Sequence, residues 1–279
     1  MFFTFRSSLN NKYFKVYFSY FIMGVEKHTK EVYDKFGKEY QRKRIFNELV
    51  EVPCMVKTVG NIKDKKLLDI GCGAGVHIKK YLKKGARCWG IDISESMIEM
   101  ARKNCPNVDF KVGSMTKLPY KNSSFDIVTA SLSMDYIKNL EPVFKEVARV
   151  LKKGGKFYYS NESPFVAARE KYEDDKIKIS GIGKYINKKT GKKIFLGEPW
   201  KERVMEWEML PEMEMKTYRK PFRTQLKDLR KAGFELIDFI HCKPSSKYKD
   251  YSKFNKREKE AYEMSLKFPL FSIFVSQKK

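Results

Sequence analysis

Leu67-Leu68-Asp69-Ile70-Gly71-Cys72-Gly73-Ala74-Gly75 is the stretch whose reading decides the fold. The run 67–71 has the length and apolarity of a short buried strand, and further glycines follow at every second position. Glycine lets a ligand come close to the backbone, and the N–H groups of a helix that starts there point at it. Alone this spacing is weak, because several nucleotide-binding folds use similar loops. Its neighbours strengthen it.

Outward from that loop the pattern alternates cleanly. Apolar runs at 87–93, 108–113, 125–132 and 154–160 predict strands, and 75–84, 95–104 and 141–151 predict helices between them. Glu141-Pro142 suits a helix start, and Gly154-Gly155 just past 151 suits a helix stop. Strands alternating with helices of about ten residues mean βαβ units and a parallel, doubly wound α/β sheet. Residues 161–220 break the rhythm with scattered glycines, and hints of period-two alternation predict an inserted cap of short antiparallel strands. After Pro221 a helix closed by Gly233 is expected, then two strands, FELIDFIHC and FPLFSIFVSQ, joined by a polar connector.

Two carboxylates narrow the ligand. Asp92 ends the second strand about twenty residues after the loop, where an acidic side chain accepts bonds from both ribose hydroxyls. Asp69 precedes the glycines, where it would repel a pyrophosphate and suit the cationic end of an amino acid. An adenosine joined to a methionine meets both conditions. The blander readings are a capping role for Asp69 and a loop role for Asp92.

LLDIGCGAG (67–75), WGIDIS (89–94), VGSMTKLPYKNSSFDIVTAS (112–131) and VARVLKKGGKFYYS (147–160) together resemble the class I S-adenosylmethionine-dependent methyltransferases. Within them they resemble the small-molecule branch, methyltransferase type 11, that includes the ubiquinone/menaquinone-type enzymes. The ending, residues 216–236 and 268–279, is similar to the tail of many such enzymes. The resemblance implies a Rossmann-like seven-stranded sheet with an antiparallel final hairpin, and S-adenosylmethionine as donor with S-adenosylhomocysteine as product. It implies Gly71, Cys72 and Gly73 along the methionine part, Asp69 near its amino group and Asp92 on the ribose. Ile93 and Met97 would enclose the adenine, Ser114 and Met115 would lie beside it, and Ser131 would face the sulfonium. Ser114 stands where the family often has Asp, and a hydroxyl accepts more weakly than a carboxylate. Tyr33 and Tyr40 would sit on a lid helix, although the same spacing suits a core stripe. Cys72 reads equally as a small apolar filler.

A sulfonium methyl is already activated, so alignment supplies much of the acceleration, and a base is needed only when the acceptor must lose a proton. Candidate bases are His28, Asp135 and Tyr136, with His241 and His77 as further histidines. SLSMDY (131–136) replaces the Asn/Asp-Pro-Pro-Tyr/Phe segment of amine-methylating enzymes, and no cysteine nucleophile lies between Cys105 and Cys242. A small acceptor under the 161–220 cap remains, facing Phe165, Tyr172, Tyr185, Phe195, Trp200, Trp207, Tyr218 and Phe222 with Arg203, Arg219 and Arg223.

The whole composition bounds these expectations. The 279 residues are 42% apolar, enough for a core, and no stretch reaches the roughly 18–20 apolar residues of a membrane span. Cys54, Cys72, Cys88, Cys105 and Cys242 form no Cys-x-x-Cys pair, which suits a reducing, cytoplasmic compartment and argues against a metal cage. Lys and Arg number 58 against 34 acidic residues, a net charge of +24 spread along the chain and dominated by Lys. That charge reads as a solvated surface or as the footprint of a tRNA or rRNA substrate. A non-catalytic partner subunit on the same fold is the third reading, and the oligomeric state stays open. The expected organisation is an extension at 1–22, with translation starting at Met23 or the segment serving as an interfacial anchor. A helical lid at 23–60, a donor-binding core at 61–160, the cap at 161–220 and a closing helix with final strands at 221–279 follow.

Overall fold

The computed structural model describes residues 25–43, 47–163, 185–186, 193–194, 202–210, 212–245, 256–267 and 269–279. The 1–22 extension and the cap residues Phe165, Tyr172, Phe195 and Trp200 lie outside them, and the side chains of Tyr40, Tyr185, Arg203 and Trp207 are likewise not described.

Helix α1 (Val25–Lys43) leads into a π-helical turn (Asn47–Glu51) and α2 (Val52–Val59). Then follow β1 (Lys66–Ile70), α3 (Val76–Lys83), β2 (Arg87–Asp92), α4 (Glu95–Asn104), β3 (Asp109–Val112) and β4 (Phe125–Ser131). A 3-10 turn (Met134–Tyr136), α5 (Leu140–Val150) and β5 (Leu151–Glu162) complete the parallel part. Two short antiparallel pairs come next, β6 (Tyr185–Ile186) with β7 (Lys193–Ile194) and β8 (Arg203–Leu210) with β9 (Met213–Arg219). The chain ends with α6 (Phe222–Lys231), β10 (Phe234–His241), α7 (Lys256–Lys267) and β11 (Phe271–Lys278).

Seven strands form one sheet in the order β10-β11-β5-β4-β1-β2-β3. β1 pairs in parallel with β2 and β4, while β11 runs antiparallel to both β5 and β10. The α/β sheet and its final hairpin are those expected. Leu67 packs on one face of β1 and Leu68 and Ile70 on the other, all fully buried, which is why this central strand reads as an unbroken apolar run. Helix caps fall at polar residues: Ser94 Oγ accepts from Met97 N at 3.2 Å, and Asn139 Oδ1 from Glu141 N at 3.1 Å.

Two expectations change. Gly154-Gly155 is not the stop of α5, which ends at Val150 and runs straight into β5. The glycines instead lie in an irregularity of β5: Phe125 pairs with Leu151, but Ile127 pairs with Lys156. Gly154 has φ +73°, and a Cβ on Gly155 would lie 2.9 Å from the Lys152 carbonyl oxygen, so glycine suits this bulge. The polar connector between the last strands also contains a helix, α7, held by buried Tyr262 and Ser265.

The final hairpin is fastened by aromatic packing. Tyr159 and Phe274 stack with centroids 4.4 Å apart and planes 6° from parallel, and both are buried. Phe274→Ala is expected to destabilise the chain by about 3–5 kcal/mol, read as a lower urea midpoint at unchanged slope; a loss below ~1 kcal/mol would show the hairpin to be peripheral.

Candidate active site

The carboxyl ends of β1, β2 and β4 and the segment after β3 converge on one cavity, the usual place for a ligand in an open parallel sheet. Gly71 N and Cys72 N both donate to Ile91 O, at 2.8 and 3.1 Å, so the loop after β1 folds back over the end of β2. Gly71 has φ +67°, and a Cβ there would sit 2.5 Å from Ser133 Cβ. Gly73 has φ +51° and nothing within 4 Å of where its Cβ would be, so it opens one wall of the cavity to close approach. Gly75, also left-handed, caps α3.

Asp92 holds this loop in place. Its Oδ2 accepts from Gly73 N at 2.8 Å and its Oδ1 from Ser94 N at 3.0 Å. Burial pushes its carboxyl up, the bonds from Ser94, Gly73 and Ile93 pull it back, and the net direction is upward. Each oxygen retains a lone pair, so the carboxylate can still accept two hydroxyls from a ligand.

Of the residues expected from the sequence, Gly71, Cys72, Gly73, Asp92, Ile93 and Met97 come together on this cavity, as do Ser114, Met115, Ser131, Tyr33 and Tyr136. Ser114 Oγ is spent locally, 2.8 Å from Thr116 Oγ1. Cys72 is buried, and burial followed by the Asp92 and Asp69 charges pushes its thiol well above the usual range, so it is a poor nucleophile. The glycine cradle, the lone pairs of Asp92 and the Ile93–Met97 wall fit an adenosyl group. Among the described residues no group of three or more His, Cys, Asp or Glu could hold a metal ion.

Helix α1 closes the cavity from above. Asp34 Oδ1 accepts from Ser94 Oγ at 2.6 Å and from Ser96 N at 3.2 Å, tying α1 to the start of α4. A Cβ on Gly37 would lie 2.9 Å from Met97 Cε, so the two helices meet closely there. Tyr33 and Tyr136 bring their hydroxyls to 3.0 Å across the cavity, rings edge to face.

Other candidates stand elsewhere. His28 is buried, its Nε2 3.0 Å from Glu214 O, where it ties α1 to β9 and does not line the cavity. His241 lies on β10, its Nδ1 2.9 Å from Ser272 Oγ. Asp135 sits beside the cavity wall, pushed up to about 7 by burial although the Lys220 charge opposes this. Burial lowers Lys220 in turn to about 8, against the Asp135 charge. Asp69 lies behind the wall rather than on it, 1% exposed, with Oδ1 accepting from Thr129 Oγ1 at 2.7 Å.

Among the lining residues that the sequence reading missed are Glu51 and Ser133, and His77 was noted there only as a further histidine. Glu51 and His77 line the cavity and meet at 2.8 Å, and Ser133 Oγ donates to Ile70 O at 3.2 Å beneath Gly71. His77 was visible as a histidine just after the loop. Glu51 had no signal, because only the fold brings a residue ahead of β1 to the ends of β4 and β5.

Asp69 yields a pH prediction. Burial foremost, with the Glu51 and Asp92 charges adding, pushes it to about 6 against the pull of His77 and Thr129, and its Oδ2 finds no hydrogen-bond partner. A carboxyl raised on folding favours the folded state below its unfolded pKa, near 4, and loses that contribution as pH rises toward 6. Asp69→Asn removes this titration. The stability difference between variant and wild type is expected to shift in the variant's favour by ~2 kcal/mol from pH 4 to pH 7, read by urea unfolding at each pH. A flat difference would exclude the raised carboxyl.

A family described as a methyltransferase domain matches residues 68–159. YcgJ of Bacillus subtilis, an uncharacterized methyltransferase, is 31% identical over 141 residues, covering 47% of this chain and 56% of that protein. The demethylmenaquinone methyltransferase of Chlorobaculum parvum is 36% identical over 103 residues, covering 37% of this chain and 43% of its own length. The match thus spans about half the length of these curated relatives. An S-adenosylmethionine-dependent methyltransferase structure from Mesorhizobium loti superposes with a TM-score of 0.63 at 21% identity, over 81% of this chain and 96% of that one, which shows the shared fold. Over residues 68–159 the chain thus matches a methyltransferase domain family, on a fold shared with S-adenosylmethionine-dependent methyltransferases.

Proposed function

We propose that the protein transfers a methyl group from S-adenosylmethionine to a small-molecule acceptor by in-line displacement, releasing S-adenosylhomocysteine. The observation that carries this reading is a single cavity in which the glycine loop and Asp92 share a hydrogen bond, Gly73 N to Asp92 Oδ2 at 2.8 Å. When bound, S-adenosylmethionine supplies a methyl group on a sulfonium, already activated for displacement.

The residues of the chain then have positioning roles. Asp92 accepts from the ribose hydroxyls, Ile93 and Met97 enclose the adenine, and Ser114 and Met115 flank its edge. Gly71 and Gly73 let the backbone lie against the methionine chain. Ser131, at the end of β4, faces the sulfonium. Tyr33 and Tyr136 border the region where an acceptor would arrive, with α1 as lid and the 161–220 stretch as cap. Alignment alone lowers such a barrier by several kcal/mol. Asp135, raised to about 7 beside Tyr136, is the base we assign if the acceptor must lose a proton.

Two facts support a small acceptor. The cavity is bordered by side chains of α1 and of the turn after β4, a concave lining that suits a compact acceptor. The Chlorobaculum relative is named for a small molecule, demethylmenaquinone. Free thiols at Cys54, Cys72, Cys88, Cys105 and Cys242 suit a reducing compartment, and we assign the cytoplasm. Among the described residues no helix is long and apolar enough to cross a membrane.

Asp92→Ala is expected to weaken donor binding by about 1.5–3 kcal/mol, read by calorimetric titration with S-adenosylhomocysteine. Affinity within about twofold of wild type would remove Asp92 from the site. The acceptor class is tested by methyl transfer from labelled S-adenosylmethionine into a host extract. Label is expected in the small-molecule fraction. Label that stays with RNA and disappears on nuclease treatment would transfer the assignment to an RNA substrate, with the basic surface as its footprint.

A further inference from the structure

The cavity wall holds a carboxylate–histidine pair that none of these roles uses. Glu51, the last residue of the π-helical turn, is 0% exposed. Its Oε2 lies 2.8 Å from His77 Nε2, and its Oε1 accepts the Ser160 hydroxyl at 2.6 Å. Burial pushes the Glu51 carboxyl up, but the His77 charge and the bonds from His77, Ser160 and Ser131 outweigh it, and the net direction is downward. Withdrawing a carboxylate from water costs several kcal/mol, and an apolar residue of similar volume would avoid that cost. A buried carboxylate held beside an imidazole on a cavity wall suits a ligand that carries an ammonium group next to a carboxylate.

Its position says which part of the ligand it meets. Ser131 ends β4 and pairs with Ser160 near the end of the neighbouring β5, whereas Asp92 ends β2, with β1 between. Two to three strand spacings of about 4.8 Å put the Glu51 carboxylate roughly 10–14 Å from that of Asp92. From a ribose hydroxyl carbon to the α-amino nitrogen of an adenosylmethionine runs a chain of seven bonds. At about 1.2 Å each that is roughly 8 Å, and a hydrogen bond of about 2.9 Å at either end brings the span to roughly 14 Å. Asp69 is worse placed. It does not line the cavity, whereas Glu51 and His77 do.

We propose that Glu51 and His77, rather than Asp69, receive the amino-acid end of the donor, Glu51 accepting from the ammonium group and His77 facing the carboxylate. This rests on the donor reading given above. The pair makes the site selective for a zwitterionic terminus and disfavours nucleosides that lack one.

The test compares two ligands by calorimetric titration: S-adenosylhomocysteine, which has the amino-acid end, and 5′-methylthioadenosine, which keeps the adenosine and the sulfur but lacks it. Glu51→Gln, nearly isosteric and uncharged, is expected to bind S-adenosylhomocysteine about tenfold or more weakly while 5′-methylthioadenosine stays within about twofold. His77→Gln, on a separate element, should show the same split, and Asp69→Asn should leave the ratio of the two affinities unchanged. Retained 5′-methylthioadenosine binding also reports a folded cavity. Equal losses for both ligands in Glu51→Gln and His77→Gln would make the pair merely structural and overturn the inference. So would an Asp69→Asn variant that alone collapses the ratio. A wild-type chain that binds neither ligand would overturn the donor reading itself, and this inference with it.

Discussion

One carboxylate accepting two backbone amides holds the functional end of this molecule together. Asp92 ends β2 and bonds to Gly73 N, in the loop after β1, and to Ser94 N, at the start of α4. A loop with glycines at φ +67°, +51° and +76° has little conformational preference of its own and would sample many shapes if left free. Fixed to Asp92 on one side and to Ile91 O on the other, it has one. The same two bonds fix the start of α4, so the Ile93–Met97 wall is set relative to the glycines. Asp34 then ties α1 to Ser94 and Ser96, and the cavity gains its roof.

Much of this was legible in the sequence because it is local. A buried parallel strand shows as an apolar run, a close-approach loop shows as glycines, and Asp92 follows at the distance a single βαβ unit requires. The stretch from 67 to 160 reads well for that reason. Pairings set by tertiary contact read poorly. Gly154 resembles a helix stop in the chain, yet it serves a bulge that exists only because β5 must re-register against β4. Helix α7 hides in a lysine-rich connector whose charged residues obscure the spacing of its buried positions, Tyr262 and Ser265 among those described. Glu51 lies in an amphipathic segment where a glutamate looks solvated, and its burial depends on Ser160, 109 residues away. His28 shows the reverse: a histidine in the first turn of α1 attracts a catalytic reading, while its place is a tie to β9.

The charge distribution also separates into surface and interior. The chain carries a net +24, yet Glu51 and Asp92 face the cavity and Asp69 lies just behind it. A donor with a sulfonium and an ammonium gains nothing from a basic exterior. At physiological ionic strength exposed charges are screened beyond about 8 Å, whereas buried carboxylates are screened much less. The local acidic lining therefore governs recognition of such a ligand, and the surface lysines govern solubility and the approach of anionic molecules.

The bond between Glu51 and Ser160 has a consequence for how the molecule forms. It joins a residue that precedes the first strand to the end of the fifth, so this part of the cavity cannot exist until the centre of the sheet is in register. Contacts of such sequence separation form late, after the loop-closure entropy of the intervening chain has been overcome. The cavity is thus a product of the completed fold rather than of any fragment. Its ligand binds only the finished state and draws the folding equilibrium toward it as occupancy rises.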